Sequence, residues 1–101
     1  MSEKRYEFNR TIPVEGPYDV VVVGGGPAGS VAAIAAARAR QRVLLVEATG
    51  CLGGMGTSAL VSAWSNLNNG VHSIIGGIFN EIVETLYAEG GLPPDITPER
   101  W

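Results

Sequence analysis

The sequence has little cysteine, little clustered charge and no long hydrophobic run, and each shortage excludes a class of protein. Cys51 is the single cysteine among 101 residues, so neither an internal disulfide nor a Cys-x-x-Cys redox pair can form. No basic block is longer than Lys4-Arg5 and the net charge is -3, which leaves no positive surface for nucleic acid. The N-terminus lacks the apolar stretch of a signal peptide, and the run Val20 to Val23 is far too short to span a membrane. We therefore expect a cytoplasmic protein without a nucleic-acid partner, a membrane span or a metal site.

The composition that is present predicts one globular domain with a polar leader. Hydrophobic residues make up 46% of the chain and charged residues 17%, which is typical of a folded protein rather than a disordered one. Residues 1–17 are polar and contain Pro13, Gly16 and Pro17, so we interpret them as an N-terminal arm. An edge strand laid on the main domain is an equal alternative for this segment. Residues 18–101 form the predicted domain.

Two aliphatic runs flank an alanine-rich segment in the first half of this domain. Asp19 to Val23 and Arg42 to Glu47 lack polar alternation, which predicts strands buried on both faces, as in a parallel sheet. Between them, Pro27 to Arg40 predicts a helix, because alanine favours helix and proline is tolerated in the first turn. The small residue Ala33 is expected where this helix crosses the sheet. The order strand, helix, strand with a short return predicts a βαβ unit.

The second half of the domain begins with a glycine-rich loop. Residues 48–58 contain four glycines, and residues 59–75 predict no regular element apart from a turn at Asn69-Gly70. Gly76 to Glu89 predicts an amphipathic helix that stops at Gly90-Gly91. Its apolar face follows a three-and-four spacing and consists of Ile75, Ile78, Phe79, Ile82, Val83, Leu86 and Tyr87.

The junction between the first strand and the helix carries Gly-x-Gly-x-x-Gly at Gly24, Gly26 and Gly29. In such a motif the first glycine allows a tight turn, the second lets a pyrophosphate approach the backbone, and the third lets helix and strand pack closely. The N–H groups at the start of the helix would face the phosphates. Glu47 ends the next strand, 18 residues after Gly29, where a carboxylate can accept hydrogen bonds from ribose hydroxyls. The pattern predicts a dinucleotide site, and the alternative is a glycine turn in an unrelated α/β protein.

Three segments resemble the N-termini of FAD-dependent oxidoreductases: Tyr18 to Ser30, Arg42 to Glu47 and Gly50 to Ser58. The resemblance covers roughly residues 18–90 and points to the broad family related to fumarate reductase flavoproteins and the glutathione reductase-like fold. It implies an α/β, Rossmann-like FAD-binding fold with a parallel sheet, of which this chain would be an incomplete part. It also implies that the loop with Gly53-Gly54 folds back over the pyrophosphate. The predicted cofactor-binding residues are Gly24, Gly26, Pro27, Ala28, Gly29, Glu47, Ala48, Gly53, Gly54, Met55 and Thr57.

The sequence leaves open the role of two hydroxyl residues, Thr57 and Ser58, and the backbone conformation at Arg40. Thr57 and Ser58 could donate hydroxyl hydrogen bonds to the cofactor, or they could serve turn or cap chemistry. Relatives usually carry glycine near the end of the first helix, whereas this chain has Arg40. If the backbone there is left-handed, a residue other than glycine costs on the order of 1 kcal/mol.

No residue of this chain is predicted to be catalytic. Disulfide reductases of this fold need two cysteines, so we interpret Cys51 as a small hydrophobic residue in a loop. His72 is expected on a turn, and a pH-sensitive contact to the flavin is the alternative. Trp64 and Trp101 are expected to be packing residues.

The function predicted from these features is that of an FAD-dependent oxidoreductase, in which the flavin carries the hydride chemistry and the substrate is unassigned. An NAD-binding dehydrogenase domain is the alternative among enzymes. A non-catalytic dinucleotide-binding protein, or a flavoprotein of tRNA modification or assembly, is the alternative outside them. The expected partners are FAD and a small molecule, and a homo-oligomer of the full-length protein stays open. Because two strands do not complete a doubly wound sheet, we expect the chain to be the N-terminal part of a longer protein or a truncated product.

Overall fold

The computed structural model of the chain describes residues 3–64 and 67–95. Within these residues the elements follow in the order β1 (Val20–Val23), α1 (Pro27–Arg38), β2 (Val43–Val46), one 3₁₀ turn (Gly54–Gly56) and α2 (Ile78–Ala88). The two strands pair in parallel, so the predicted βαβ unit is confirmed and the described part is a small α/β structure. Each element is shorter at one or both ends than its sequence pattern predicts, by one or two residues, because the terminal residues form caps and turns.

The two-stranded sheet is covered on one face only. Val20 pairs with Val43 and the register continues to Val23 opposite Val46. α1 contacts both strands and buries Ala33, which is 8% exposed, at the predicted crossing point. On the other face Val23 is 83% exposed. The burial on both faces that the aliphatic runs predict is therefore not reached within the described residues, because no described element covers this second face.

The helix α2 lies beside α1 and confirms the predicted amphipathic pattern. Val83, at the centre of its apolar face, is 3% exposed, whereas Ile75 and Tyr87 at the two ends of that face remain exposed. The ring centroids of Trp64 and Phe79 are 5.7 Å apart, so the loop that precedes α2 also packs on this helix. This contact confirms Trp64 as a packing residue. Trp101 lies outside the described residues.

An ion pair and a shallow groove connect the two helices. The guanidinium of Arg38 donates two hydrogen bonds to the carboxylate of Glu81, at 2.8 and 2.6 Å. The groove beside this pair is lined by aliphatic side chains of both helices: Ile34, Ile78, Ile82 and Leu86. α2 is thus tied to α1 by an exposed ion pair, and aliphatic side chains of both helices line the groove between them.

The remaining described segments form turns and extended chain. Residues 3–17 form neither helix nor strand and are exposed throughout. The predicted turn at Asn69-Gly70 is confirmed, with Gly70 at φ 87° and a bridge between Asn68 and Ser73. No helix among the described residues is long and apolar enough to cross a membrane.

Candidate dinucleotide site

The glycine loop between β1 and α1 turns sharply, because Gly24 adopts a positive φ and Gly29 lies too close to neighbouring backbone for a side chain. Gly24 has φ 99°, which favours glycine, and its N–H donates to the carbonyl of Val46 at 2.8 Å. A Cβ at Gly29 would collide with the carbonyl oxygen of Gly24 and lie 3.4 Å from Val22. The first turn of α1 therefore lies directly against the end of β1, as the motif predicts.

Gly26 stands at the N-terminal cap of α1 and faces open space. A Cβ placed there would meet no atom within 4 Å, and its φ of -65° is one that any residue can adopt. The missing side chain is therefore not required by the fold. Pro27 and Ala28 follow in the first helical turn, where backbone N–H groups have no carbonyl partner within the helix. Open space in front of such N–H groups suits an anionic group.

The second glycine cluster lies against the first. The N–H of Gly53 donates to the carbonyl of Gly25 at 2.8 Å. A Cβ at Gly54 would lie 2.9 Å from the Cα of Gly26 and 3.3 Å from Pro27. Only a residue without a side chain allows this approach, so the loop after β2 returns to the glycine loop. Sequence reasoning expected this return from the resemblance alone.

Glu47 leaves the end of β2 and directs its carboxylate at the glycine loop. Its Oε2 accepts a hydrogen bond from the N–H of Gly25 at 2.6 Å. Its Oε1 accepts from both the N–H and the hydroxyl of Thr49, each at 2.8 Å. These donors, first the Thr49 backbone N–H and then that of Gly25, lower the pKa of Glu47 below its usual range. The side chain is half-buried and negatively charged at neutral pH.

Two residues that sequence reasoning missed hold this arrangement in place. The hydroxyl of Ser30 donates to the carbonyl of Gly25 at 2.8 Å, which fixes the loop to the first turn of α1. Thr49 holds Glu47 as described above. The available signal was a hydroxyl residue one position after the last motif glycine and another two positions after the acid.

The other predicted residues occupy the rim of this site or its supporting turns. Ala48 and Met55 are exposed, Met55 on the 3₁₀ turn. The hydroxyl of Thr57 donates to the carbonyl of Leu52 at 2.6 Å, and that of Ser58 donates to the carbonyl of Gly54 at 3.3 Å. Both hydroxyl protons are thus used within the loop, as turn chemistry requires.

The two residues considered for reactive chemistry, Cys51 and His72, both lie in loops. Cys51 lies in the loop after β2, as expected, and its thiol is free and exposed. His72 lies on the predicted turn, where its backbone N–H donates to Oδ1 of Asn69 at 2.7 Å. The described part of the chain contains no cluster of three or more His, Cys, Asp or Glu that could hold a metal ion.

A parallel βαβ unit with a glycine loop, a charged acid at the second strand end and a returning glycine loop is consistent with part of a dinucleotide-binding fold. Comparison of the sequence with known families is more specific. The chain belongs to the FAD dependent oxidoreductase family, whose profile matches residues 19–101. FAD is the cofactor that this family implies, and the residues present fit its ADP moiety: open space at Gly26, helical N–H groups and the acceptor Glu47.

Curated relatives support the same assignment over shorter stretches. The chain is 57% identical over 47 residues to dihydrolipoyl dehydrogenase of Trypanosoma brucei brucei, which is 46% of this chain and 10% of the relative. It is 45% identical over 58 residues to soluble pyridine nucleotide transhydrogenase of Marinomonas sp. (strain MWYL1), which is 57% of this chain and 12% of the relative. The matched stretch is thus about a tenth of the length of each relative. No solved structure matches the chain significantly.

Proposed function

We propose that residues 18–101 form the N-terminal part of a Rossmann-like FAD-binding domain in an oxidoreductase, with residues 1–17 as an arm. The observation that carries this proposal is the meeting of three features beside Gly26. The start of α1, the returning loop at Gly53-Gly54 and the charged carboxylate of Glu47 all meet at the glycine loop. N–H donors suit a pyrophosphate and a carboxylate suits ribose hydroxyls, so the set matches the ADP half of a dinucleotide.

Each predicted site residue takes one role in this proposal. Gly24 and Gly29 shape the turn, and Gly26 leaves room for the pyrophosphate beside the N–H groups of Ala28 and Gly29. Glu47 accepts hydrogen bonds from the ribose of the adenosine. The remaining residues line the path from the ribose toward the flavin: Pro27, Ala48, Gly53, Gly54, Met55 and Thr57.

FAD, when bound, supplies the electron and hydride transfer of such an enzyme. The residues described here bind and orient the cofactor and leave the reacting partner to other parts of the protein. The names of the two relatives refer to lipoyl and pyridine nucleotide chemistry. Because each matched stretch is only about a tenth of the relative, those substrates do not transfer to this chain.

The cofactor proposal predicts which molecule the protein releases on denaturation. We expect the purified protein to be yellow and, after denaturation and chromatography, to release FAD in a ratio near one per chain. FAD contains the adenosine ribose that Glu47 would hold, whereas FMN lacks it. Release of FMN alone, or of NAD without flavin, would contradict the proposal.

A further inference from the structure

The hydroxyl of Thr49 lies between two acceptors, next to the carboxylate assigned to the ribose. It is 2.8 Å from Oε1 of Glu47 and 3.0 Å from the carbonyl oxygen of Cys51. A threonine hydroxyl has one proton, so it can donate to only one of these acceptors at a time. The acceptor to which the Thr49 hydroxyl donates determines how many acceptor positions remain free on the Glu47 carboxylate.

The carboxylate of Glu47 has a limited number of acceptor positions. An ionised carboxylate offers about four lone-pair positions, two on each oxygen. Gly25 uses one position on Oε2, and the N–H and hydroxyl of Thr49 use both positions on Oε1. At most one position then remains, and the backbone N–H of Ala48 also interacts weakly with the carboxylate, whereas the adenosine ribose has two hydroxyls that can donate.

We propose that Thr49 is a positioning residue whose hydroxyl turns from Glu47 to the carbonyl of Cys51 when the cofactor ribose binds. This inference rests on the proposed function of Glu47. The turn frees a second position on the carboxylate, so that both ribose hydroxyls can donate to it. The N–H groups of Thr49 and Gly25 stay bonded and keep the carboxylate in place during the exchange.

The inference predicts that removal of the Thr49 hydroxyl increases the contribution of the ribose hydroxyls to ligand affinity. In the parent protein a second ribose hydroxyl must displace the hydroxyl of Thr49 from Glu47. Without that competitor the position is already free, so ribose hydroxyls should contribute more to affinity in Thr49→Val than in the parent. A supporting contact in the loop would change the affinity of all ligands alike. The lowered pKa of Glu47 ensures that the carboxylate is ionised and purely an acceptor at neutral pH.

The experiment compares ADP with 2′,3′-dideoxy-ADP on the full-length protein stripped of flavin, by calorimetric titration. We expect the ratio of the two dissociation constants to rise about two- to tenfold in favour of ADP in Thr49→Val, the range that one weak hydrogen bond covers. Thr49→Ala should show the same rise, and Thr49→Ser, which keeps the hydroxyl, should retain the parent ratio. A ratio that is unchanged or lower in both hydroxyl-free variants would overturn the inference.

Glu47→Gln separates this inference from the function on which it rests. If the parent prefers ADP over dideoxy-ADP and Glu47→Gln weakens that preference, Glu47 serves the ribose, whatever the Thr49 variants do. If the parent binds both ligands equally and Glu47→Gln changes nothing, the proposed role of Glu47 fails, and the inference about Thr49 fails with it.

Discussion

At the scale of single residues, Gly26 and Gly29 are both glycines of one motif, yet their missing side chains serve different ends. A Cβ at Gly29 would collide with the backbone of Gly24, so this glycine is required for α1 to meet β1. A Cβ at Gly26 would meet nothing within 4 Å. The fold alone therefore requires glycine at position 29 and tolerates replacement of Gly26. The space at Gly26 is therefore available to a bound ligand.

This difference predicts that substitutions at the two positions separate stability from cofactor binding. We expect Gly26→Val to retain the parent melting temperature and to weaken FAD binding by more than about tenfold, because its side chain enters the space assigned to the pyrophosphate. Gly29→Ala should destabilise the fold by about 1–3 kcal/mol through overpacking. Thermal melting and flavin fluorescence titration measure the two effects. A Gly26→Val protein that binds FAD like the parent would disprove the phosphate site.

The direction of the Glu47 side chain is also a residue-scale feature, and sequence could supply only part of it. The sequence predicts an acid at the end of the second strand, and Thr49, two positions later, donates to Oε1 of its carboxylate. The donor to Oε2 is the N–H of Gly25, which is 22 positions away. Only the folding of β1 beside β2 brings that N–H to the carboxylate.

At the scale of elements, both helices end in the same way but with different residues. In α1 the N–H of Gln41 bonds to the carbonyl of Ala36 and the N–H of Arg40 bonds to that of Ala37. α2 repeats this pair of bonds, with Gly90 in the position of Arg40. This is the Schellman arrangement, which places one residue in the left-handed region. Arg40 has φ 62° and Gly90 has φ 71°, so the strain expected at Arg40 is present.

The comparison predicts that Arg40→Gly stabilises the protein. Glycine adopts the left-handed conformation without the Cβ clash, so we expect a gain of about 1 kcal/mol in the free energy of unfolding. Chemical denaturation measures it. The reciprocal variant Gly90→Ala is the matched control and should lose a similar amount. A loss of stability in Arg40→Gly would show that the arginine side chain makes a compensating contact.

At the scale of the whole molecule, a βαβ unit and a second helix are joined by few contacts. The radius of gyration is 19.6 Å, compared with about 13 Å for a compact chain of this length. The extended arm of residues 3–17 contributes to this difference. The face of the sheet that carries Val21 and Val23 is bare. The described contacts that hold α2 include the pair Arg38–Glu81 and the ring contact between Trp64 and Phe79.

The ion pair predicts a pH-dependent attachment of α2. The hydrogen bonds from Arg38 lower the pKa of Glu81, so the pair stabilises the fold above the ordinary pKa of glutamate. This contribution is lost as the pH falls through the lowered pKa of Glu81. We expect Arg38→Gln to lower the melting temperature by about 1–2 °C at pH 7, since exposed pairs contribute little. The difference between variant and parent should disappear as the pH falls below the lowered pKa of Glu81.

A matched control exists on the same helix. Glu84 is exposed on α2 and has no ion pair among residues 3–64 and 67–95. Glu84→Gln should therefore leave the melting temperature unchanged across the same pH range. Hydrogen exchange of the α2 amides should report the same difference locally. If the melting temperatures of Arg38→Gln and the parent differ by the same amount at pH 7 and at pH 3, Arg38 does not stabilise the fold through Glu81.

The sequence by itself determined the features that depend on neighbours along the chain. The aliphatic runs predicted β1 and β2, the spacing of Val83 and its companions predicted α2, and the motif Gly24 to Gly29 predicted the sharp turn. These features depend on periodicity and on local steric limits, which operate over three or four residues. The possible strain at Arg40 was expected from the resemblance, because relatives usually carry glycine near the end of this helix.

Only the tertiary structure decided the contacts that join distant parts of the chain. It placed the N–H of Gly53 on the carbonyl of Gly25, directed Glu47 at the glycine loop and paired Arg38 with Glu81 across 43 positions. It also left one face of the sheet bare, although both strands are apolar throughout. A periodic pattern specifies which side chains seek burial, but packing in three dimensions decides which surfaces meet and which donors reach a given acceptor.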